Sequence, residues 1–273
     1  MSQRLELFDS MEVCYHFIMP SYSGIRTRNL FDPSSKEPFT LSRTKLDLFI
    51  KCPRCFYLDL RMGVGQPPGY PFSLNNAVDA LMKKEFDIYR AEHTPHPLMT
   101  AYGIAATPFA HKNMDEWRDA RTRGVKGFHE PSNFILRGGI DDVWENDQGE
   151  LHIVDYKATA KASEVTINEE WQGGYKRQIE MYQWMFRKNG FNVSSIGYFV
   201  YVNGKMDRKA FDAKLEFDVK ILPYEGSDAW VDDALMSAKV CLISSKIPSP
   251  GADCEFCDYR EAVREVLKPF LKD

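Results

Sequence analysis

The sequence predicts an α/β fold: a mixed central β-sheet flanked by helices, with helical additions on its N-terminal side. Three observations carry that prediction. Two strand-like segments, 133–145 and 151–158, are separated by the turn residues NDQG. A long helical segment, roughly 169–189, follows them, and two further strand-like segments, 190–203 and 214–224, come next. Alternating or continuous apolar runs bounded by turn residues read as strands, and apolar residues recurring every three to four positions read as helices.

In chain order, residues 1–40 are irregular, with Pro20, Pro33 and Pro38, and are expected to wrap the surface or form an extra hairpin. From Ser42 the pattern turns helical: Ser42 can cap, and Leu46, Phe49, Ile50 and Tyr57 recur at helical spacing. Pro53 is expected to break or kink that run. GVGQPPGYP (63–71) reads as a loop, and a second helix is expected from Ser73 to Glu92, with Leu74, Val78, Leu81, Met82, Phe86 and Tyr89 along one side. Residues 94–112 carry no clear pattern, and 114–121 reads as a short helix. The 133–145 and 151–158 segments form an antiparallel hairpin. Residues 227–244 read as an amphipathic helix capped by Ser227 or Asp228, and a final short helix follows the loop that starts at Ile247. The chain is read as one domain: an extension (1–40), a helical region (42–92), a core (125–224) and C-terminal helices (227–273).

The chain has 273 residues, 44% of them hydrophobic and 13% aromatic, enough to bury one sizeable core or one core with an added lobe. No stretch of eighteen apolar residues suggests a membrane span, and MSQRLELFDS lacks the apolar run of a signal peptide, so a cytoplasmic protein is expected. The formal net charge of −4 does not advertise nucleic-acid binding, since phosphate contacts come from Lys and Arg. It weighs only mildly against DNA, because basic residues can gather in one groove.

Chemistry gathers on the hairpin. Gly138, Gly139, Ile140 and Asp141 lie on one strand, and Asp155, Tyr156 and Lys157 lie on the next. Strand alternation puts Asp155 and Lys157 on one face and Tyr156 on the other, and the hairpin can bring Asp141 beside Asp155. Two carboxylates and an ammonium suit a hard cation such as Mg²⁺ with a positioned charge beside it. A lone D-x-K is more often an ordinary surface pattern. Here it stands at the end of a buried Ile153-Val154 run, and Gln178 and Tyr182, four apart on the next helix, share a face.

Together GGID, IVDYK and QIEMY, in this order, resemble the RecB-like branch of the PD-(D/E)xK nuclease superfamily, over about residues 42–260 including CPRCFYL. The resemblance implies a restriction-endonuclease-like core. It makes Asp141, Asp155 and the Tyr156 carbonyl ligands of Mg²⁺ or Mn²⁺ and Lys157 the catalytic lysine, with Gln178 and Tyr182 beside the site. It implies a deoxyribonuclease, with exonuclease or single-strand processing expected in the absence of any evident recognition domain, and a helicase or CRISPR-type protein as partner. Relatives place a metal-binding histidine in a segment resembling 72–86; here that position falls on Asp79, with Glu85 as a second candidate. The rival reading is a catalytically weak nucleic-acid-binding or assembly subunit.

Six cysteines are present, and four form the pairs Cys52/Cys55 and Cys254/Cys257. In a chain without secretion signals such pairs read as metal ligands, for Zn²⁺ or a [4Fe–4S] cluster, against the plainer reading of four buried thiols. The resembled family includes members that close an iron–sulfur cluster with one cysteine plus three; the two-plus-two pattern here keeps zinc open. Either metal would clasp the two ends of the fold. Cys14 and Cys241 have no partner motif. His93, His96, His111 and His129 fit no metal spacing and read as structural or surface residues. Trp171 and Tyr175, beside Lys176 and Arg177, either stack against a DNA strand or simply end an amphipathic helix.

Overall fold

Ser42 accepts a hydrogen bond from the Lys45 amide at 3.3 Å and so caps helix α1, Arg43–Lys51, as its sequence predicts. The computed structural model describes residues 24–69 and 73–270; Cys14, Pro20 and most of the 1–40 extension lie outside these. Pro53 breaks the helical run outright. The residue before a proline is pushed to extended backbone, and Cys52 takes that conformation, closing α1 and opening α2, Pro53–Met62.

Helix α3, Ser73–Glu92, spans the range its sequence predicts, but its buried face is narrower. Met82, Phe86 and Arg90 are buried, whereas Leu74 and Leu81 are exposed, because only the second half of the helix lies over the sheet. The patternless stretch 94–112 contains a short helix, α4, Pro97–Ala101, and a three-residue edge strand. The short helix expected at 114–121 is α5, Met114–Arg118.

Among the described residues, eight strands form two sheets. Numbered along the chain, β1 is Phe39–Ser42, β2 Ala106–Pro108, β3 Val125–His129, β4 Phe134–Gly138, β5 Asp142–Asn146, β6 Leu151–Thr159, β7 Ile196–Gly204 and β8 Phe217–Glu225. The smaller sheet runs β1-β4-β3, the larger β2-β5-β6-β7-β8. The hairpin at NDQG is present as β5 antiparallel to β6, with Asp142 opposite Val154. The single strand expected over 133–145 is instead two, β4 and β5, one in each sheet. The chain turns at Gly139-Ile140-Asp141, where the Ile140 amide bonds the Trp117 carbonyl at 3.0 Å rather than a neighbouring strand. The strands expected over 190–203 and 214–224 start later, at Ile196 and Phe217.

β6 pairs in parallel with β7, which requires a crossover, and helix α6, Gly173–Lys188, supplies it after a turn of 3-10 helix at Glu170–Gln172. α6 is wedged between the sheets, so all its residues from Ile179 to Phe186 are buried, Glu180 and Gln183 included. A Cβ on Gly138 would come within 2.9 Å of the Tyr182 ring, so only glycine lets β4 approach this helix. On the other face of the larger sheet, Met82 and Phe86 pack with Trp144, Val154 and Tyr156. Each such side chain removed from water contributes about 1.5–3 kcal/mol. β6 is buried along its first six residues, as a central strand covered on both faces must be. Helix α7, Val231–Ile243, begins at Trp230 and not at the expected Ser227 or Asp228 cap. Asp228 is engaged instead with Arg187 at 2.7 Å. Helix α8, Glu255–Leu267, follows the second cysteine pair.

Candidate functional site

The alternation of β6 sorts its residues between two environments. Ile153, Asp155 and Lys157 face α6; Val154 and Tyr156 face α3. Asp155 is 1% exposed. Its Oδ1 accepts from Gln178 Nε2 at 2.5 Å, and Lys157 Nζ reaches Gln178 Oε1 at 3.5 Å. The Lys157 ammonium abuts Asp155 Oδ2 as an ion pair. Burial pushes the Asp155 carboxyl up to about 6; Lys157 pulls it down and Asp141 pushes it further up.

Asp141 is the last residue of the β4-to-β5 turn and projects toward β6, where its Oδ2 accepts from the Tyr156 amide at 3.0 Å. Tyr182 donates its hydroxyl to the Gly139 carbonyl, tying α6 to the same turn. Asp141, Asp155, Lys157, Gln178 and Tyr182 therefore meet around the end of β6, as the sequence motifs place them. Asp79 reaches this group through Lys83, whose ammonium stands 2.8 Å from Asp79 and 3.1 Å from Asp141. Burial opposes the charge on Lys83, but Asp141 and Asp79 hold its pKa above the usual lysine range. Glu85 turns away and meets His96 Nε2 at 2.9 Å. Asp79, Asp141 and Asp155 do not close into one tight cage: among the described residues the four cysteines alone form a group of three or more ligands within 4.8 Å of one another.

Sequence reading missed the polar network behind this face. Asp142, fully buried, accepts from Arg90, from Arg118 at 3.3 Å and from the Tyr156 hydroxyl at 2.7 Å. Asp87 joins the same two arginines, at 2.9 Å to Arg90 and 2.8 Å to Arg118. Arg118 also donates to the Asp141 carbonyl at 3.1 Å, so the network sets the position of the residue next to the site. Burial first, and then Asp142, hold the Tyr156 hydroxyl well above its usual range. The available signal was Arg90 at i+4 from Phe86, on the buried stripe of α3.

The cysteine pairs meet from opposite ends of the chain. Cys52 precedes α2 and Cys254 precedes α8, so each CxxC opens a helix. All four are buried, with Sγ–Sγ separations of 3.5 Å for Cys55–Cys254, 3.6 Å for Cys55–Cys257 and 3.7 Å for Cys52–Cys257. Backbone N–H groups of Cys55 and Gly251 point at Cys52 Sγ, at 3.4 and 3.3 Å. Burial would push the Cys52 thiol up, but those donors outweigh it and bring it down to about 7. Cys241 lies apart, and burial pushes its thiol up to about 11. His96 stacks on Phe86, His111 on Trp117, and His129 bonds Ser132 at 2.8 Å, all structural contacts. Lys157 lies over the Tyr175 ring at 4.5 Å and Lys161 over the exposed Trp171 at 5.1 Å.

A family model described as the PD-(D/E)XK nuclease superfamily matches residues 73–262. That span takes in most of the chain and every strand of the larger sheet, and the chain belongs to this superfamily. Among solved structures, the crystal structure of SSO0001 aligns over 85% of this chain and 87% of its own, at 16% identity and a TM-score of 0.40. No curated protein matches the chain.

Proposed function

We propose that this protein is a Mg²⁺- or Mn²⁺-dependent nuclease that hydrolyses DNA phosphodiester bonds, acting on single strands or ends. The observation that carries the reading is the convergence of Asp141, Asp155, Lys157 and Gln178 at the end of β6, with the buried Asp155 carboxylate paired to the Lys157 ammonium. A buried carboxylate beside a second carboxylate fits a hard cation. Asp141, Asp155 and the Tyr156 carbonyl would hold it, with Asp79 as the further oxygen ligand in place of a histidine. Bound there, the ion would supply charge to polarise a phosphoryl oxygen and to acidify a water.

The chain's own residues then have separate tasks. Lys157 orients the nucleophile and offsets charge developing on the phosphate. Gln178 holds both the carboxylate and the lysine, and Tyr182 fixes the turn that carries Asp141. Trp171 and Tyr175, with Lys161 beside them, form a stacking and charge track for one strand leading away from Lys157. The whole chain acts as one nuclease unit, with a helicase or CRISPR-type complex as the kind of partner expected. Among the described residues no helix is long and apolar enough to cross a membrane.

One observation favours a second reading, a catalytically weak binding or assembly subunit. The Lys83 ammonium lies between Asp79 and Asp141, neutralising the oxygens that a metal would need. Incubating the purified protein with end-labelled single- and double-stranded DNA, with and without Mn²⁺, separates the two. Metal-dependent cleavage that Asp155→Ala abolishes supports the nuclease. Tight DNA binding without cleavage at any Mn²⁺ concentration supports the subunit.

A further inference from the structure

The cysteine centre holds more information than its four ligands. A single tetrahedral ion with metal–sulfur bonds of about 2.3 Å sets its thiolates about 3.8 Å apart. A [4Fe–4S] cubane fills the middle of its site with irons and sulfides, which spreads the four ligating thiolates to about 6 Å. Here the bonded sulfur pairs stand 3.5, 3.6 and 3.7 Å apart, and all four lie within 4.8 Å of one another. We infer that Cys52, Cys55, Cys254 and Cys257 hold one tetrahedral zinc ion and not the iron–sulfur cluster that the family resemblance favours.

Opening the site to cubane width would mean drawing α2 away from the segment 244–254, and three contacts oppose that. Tyr57 donates to the Ser244 carbonyl at 3.0 Å, and Arg54 to the Pro248 carbonyl at 3.0 Å. Gly251 presses so closely on the end of α1 that a Cβ there would lie 2.0 Å from the Lys51 carbonyl oxygen. The loop can pass there only as glycine, and in passing it delivers its N–H to Cys52 Sγ. Four thiolates around Zn²⁺ leave a net charge of −2 on the centre, and the Arg260 guanidinium, 3.2 Å from Cys257 Sγ, offsets part of it. Zinc has no redox chemistry, so the centre serves as a clasp. It is a consequential one: Cys257 is the one buried residue of α8, and the metal supplies most of what fixes that helix to α2.

This inference rests on the cysteines alone and stands whether or not the carboxylate face cuts DNA. The test is elemental analysis of the full chain purified both aerobically and anaerobically. One zinc per chain in both preparations, with no acid-labile sulfide and no visible absorption, is expected. Exchange with Co²⁺ is expected to produce the intense blue-green bands of a tetrahedral thiolate site. Iron and sulfide at about four each per chain in the anaerobic preparation would overturn the inference. So would a metal-free protein whose four thiols react freely while folded. Asp155→Ala is expected to keep full zinc content, which separates failure here from failure of the nuclease reading. Because a cysteine variant can fail to fold, the clasp is checked on the wild-type chain. Stripping zinc with a strong chelator is expected to make the segment from Pro248 onward protease-sensitive while α6 and the larger sheet stay protected. An unchanged cleavage pattern after stripping would refute the clasp.

Discussion

The carboxylate face and the cysteine centre are both candidate metal sites, yet they are built in opposite ways. The four thiolates are brought together by two local devices, a CxxC at the start of a helix used twice, and one long-range contact between α2 and α8. The carboxylates come from α3, from the turn before β5 and from β6, and the chain's own cations, Lys83 and Lys157, neutralise them. Local geometry can finish a site in advance. A site assembled from three distant elements keeps its carboxylates close only with cations set between them. The thiolate centre is therefore expected to respond to metal as a stability element, and the carboxylate face as a reactive one.

The largest effect is expected where that contrast is sharpest. Lys157→Ala and Asp155→Ala should each lower Mn²⁺-dependent cleavage by about a thousandfold or more, the scale of removing a charge-stabilising group from a reacting centre. Zinc content and the circular dichroism spectrum should stay as in the wild type. If either variant cuts at the wild-type rate, the reactive face lies elsewhere.

The next effect falls on stability and separates the face from its support. Asp142→Ala leaves the buried guanidinium groups of Arg90 and Arg118 with Asp87 as their remaining carboxylate partner, and it strips the Tyr156 hydroxyl of its acceptor. Breaking a buried charge pair from one side costs about 3–5 kcal/mol, and a loss of that size should appear in urea unfolding. A loss below about 1 kcal/mol would mean that the network is not what fixes Asp141.

The motifs around Asp141, Asp155, Lys157, Gln178 and Tyr182 were legible because each is local in sequence, and strand alternation or i,i+4 spacing sets its face. The cap at Ser42 and the break at Pro53 were legible for the same reason. The turn at Gly139-Ile140 was not, because β4 and β5 read as one continuous apolar strand until a second sheet and the wedged α6 divide them. β1, β2 and β3 span three to five residues and owe their existence to partners far along the chain. Leu74 and Leu81 have the right period for a buried stripe, and only the extent of the sheet decides that they stay in solvent. Asp142, Arg90, Arg118 and Lys83 read as ordinary surface charges, since a buried ion network depends wholly on tertiary partners.

A smaller effect probes the α3 side of the carboxylate face. Lys83→Ala removes the ammonium between Asp79 and Asp141 and leaves two carboxylates facing each other. Mn²⁺ should then bind about tenfold more tightly, equivalent to about 1.4 kcal/mol. Asp79→Asn should weaken Mn²⁺ and lower the rate at limiting metal, with recovery at high metal. Glu85→Gln should do neither, because Glu85 is turned to His96. Calorimetric titration reads all three. Unchanged affinity in both Lys83→Ala and Asp79→Asn would place the ion away from α3.

The smallest expected effect is at Cys241, and it tests whether the cysteine centre is a property of position or only of residue type. Cys241 lies on α7 near the same end of the fold, its sulfur 4.0 Å from the Pro53 carbonyl at the start of α2. It has no CxxC partner, and it falls outside the group of four mutually close sulfurs. Burial pushes its thiol up to about 11, so near neutral pH it is protonated, a poor ligand and a slow nucleophile. Cys241→Ser exchanges a half-buried, weakly bonded thiol for a hydroxyl of similar size, a change of about 1 kcal/mol or less. Metal content should stay the same and the melting temperature should move by only a few degrees, whereas Cys254→Ser should lower both together, since ligand binding is linked to folding. Equal losses of metal in the two variants would show that the centre draws on α7, and the assignment of four ligands to two helix starts would fail.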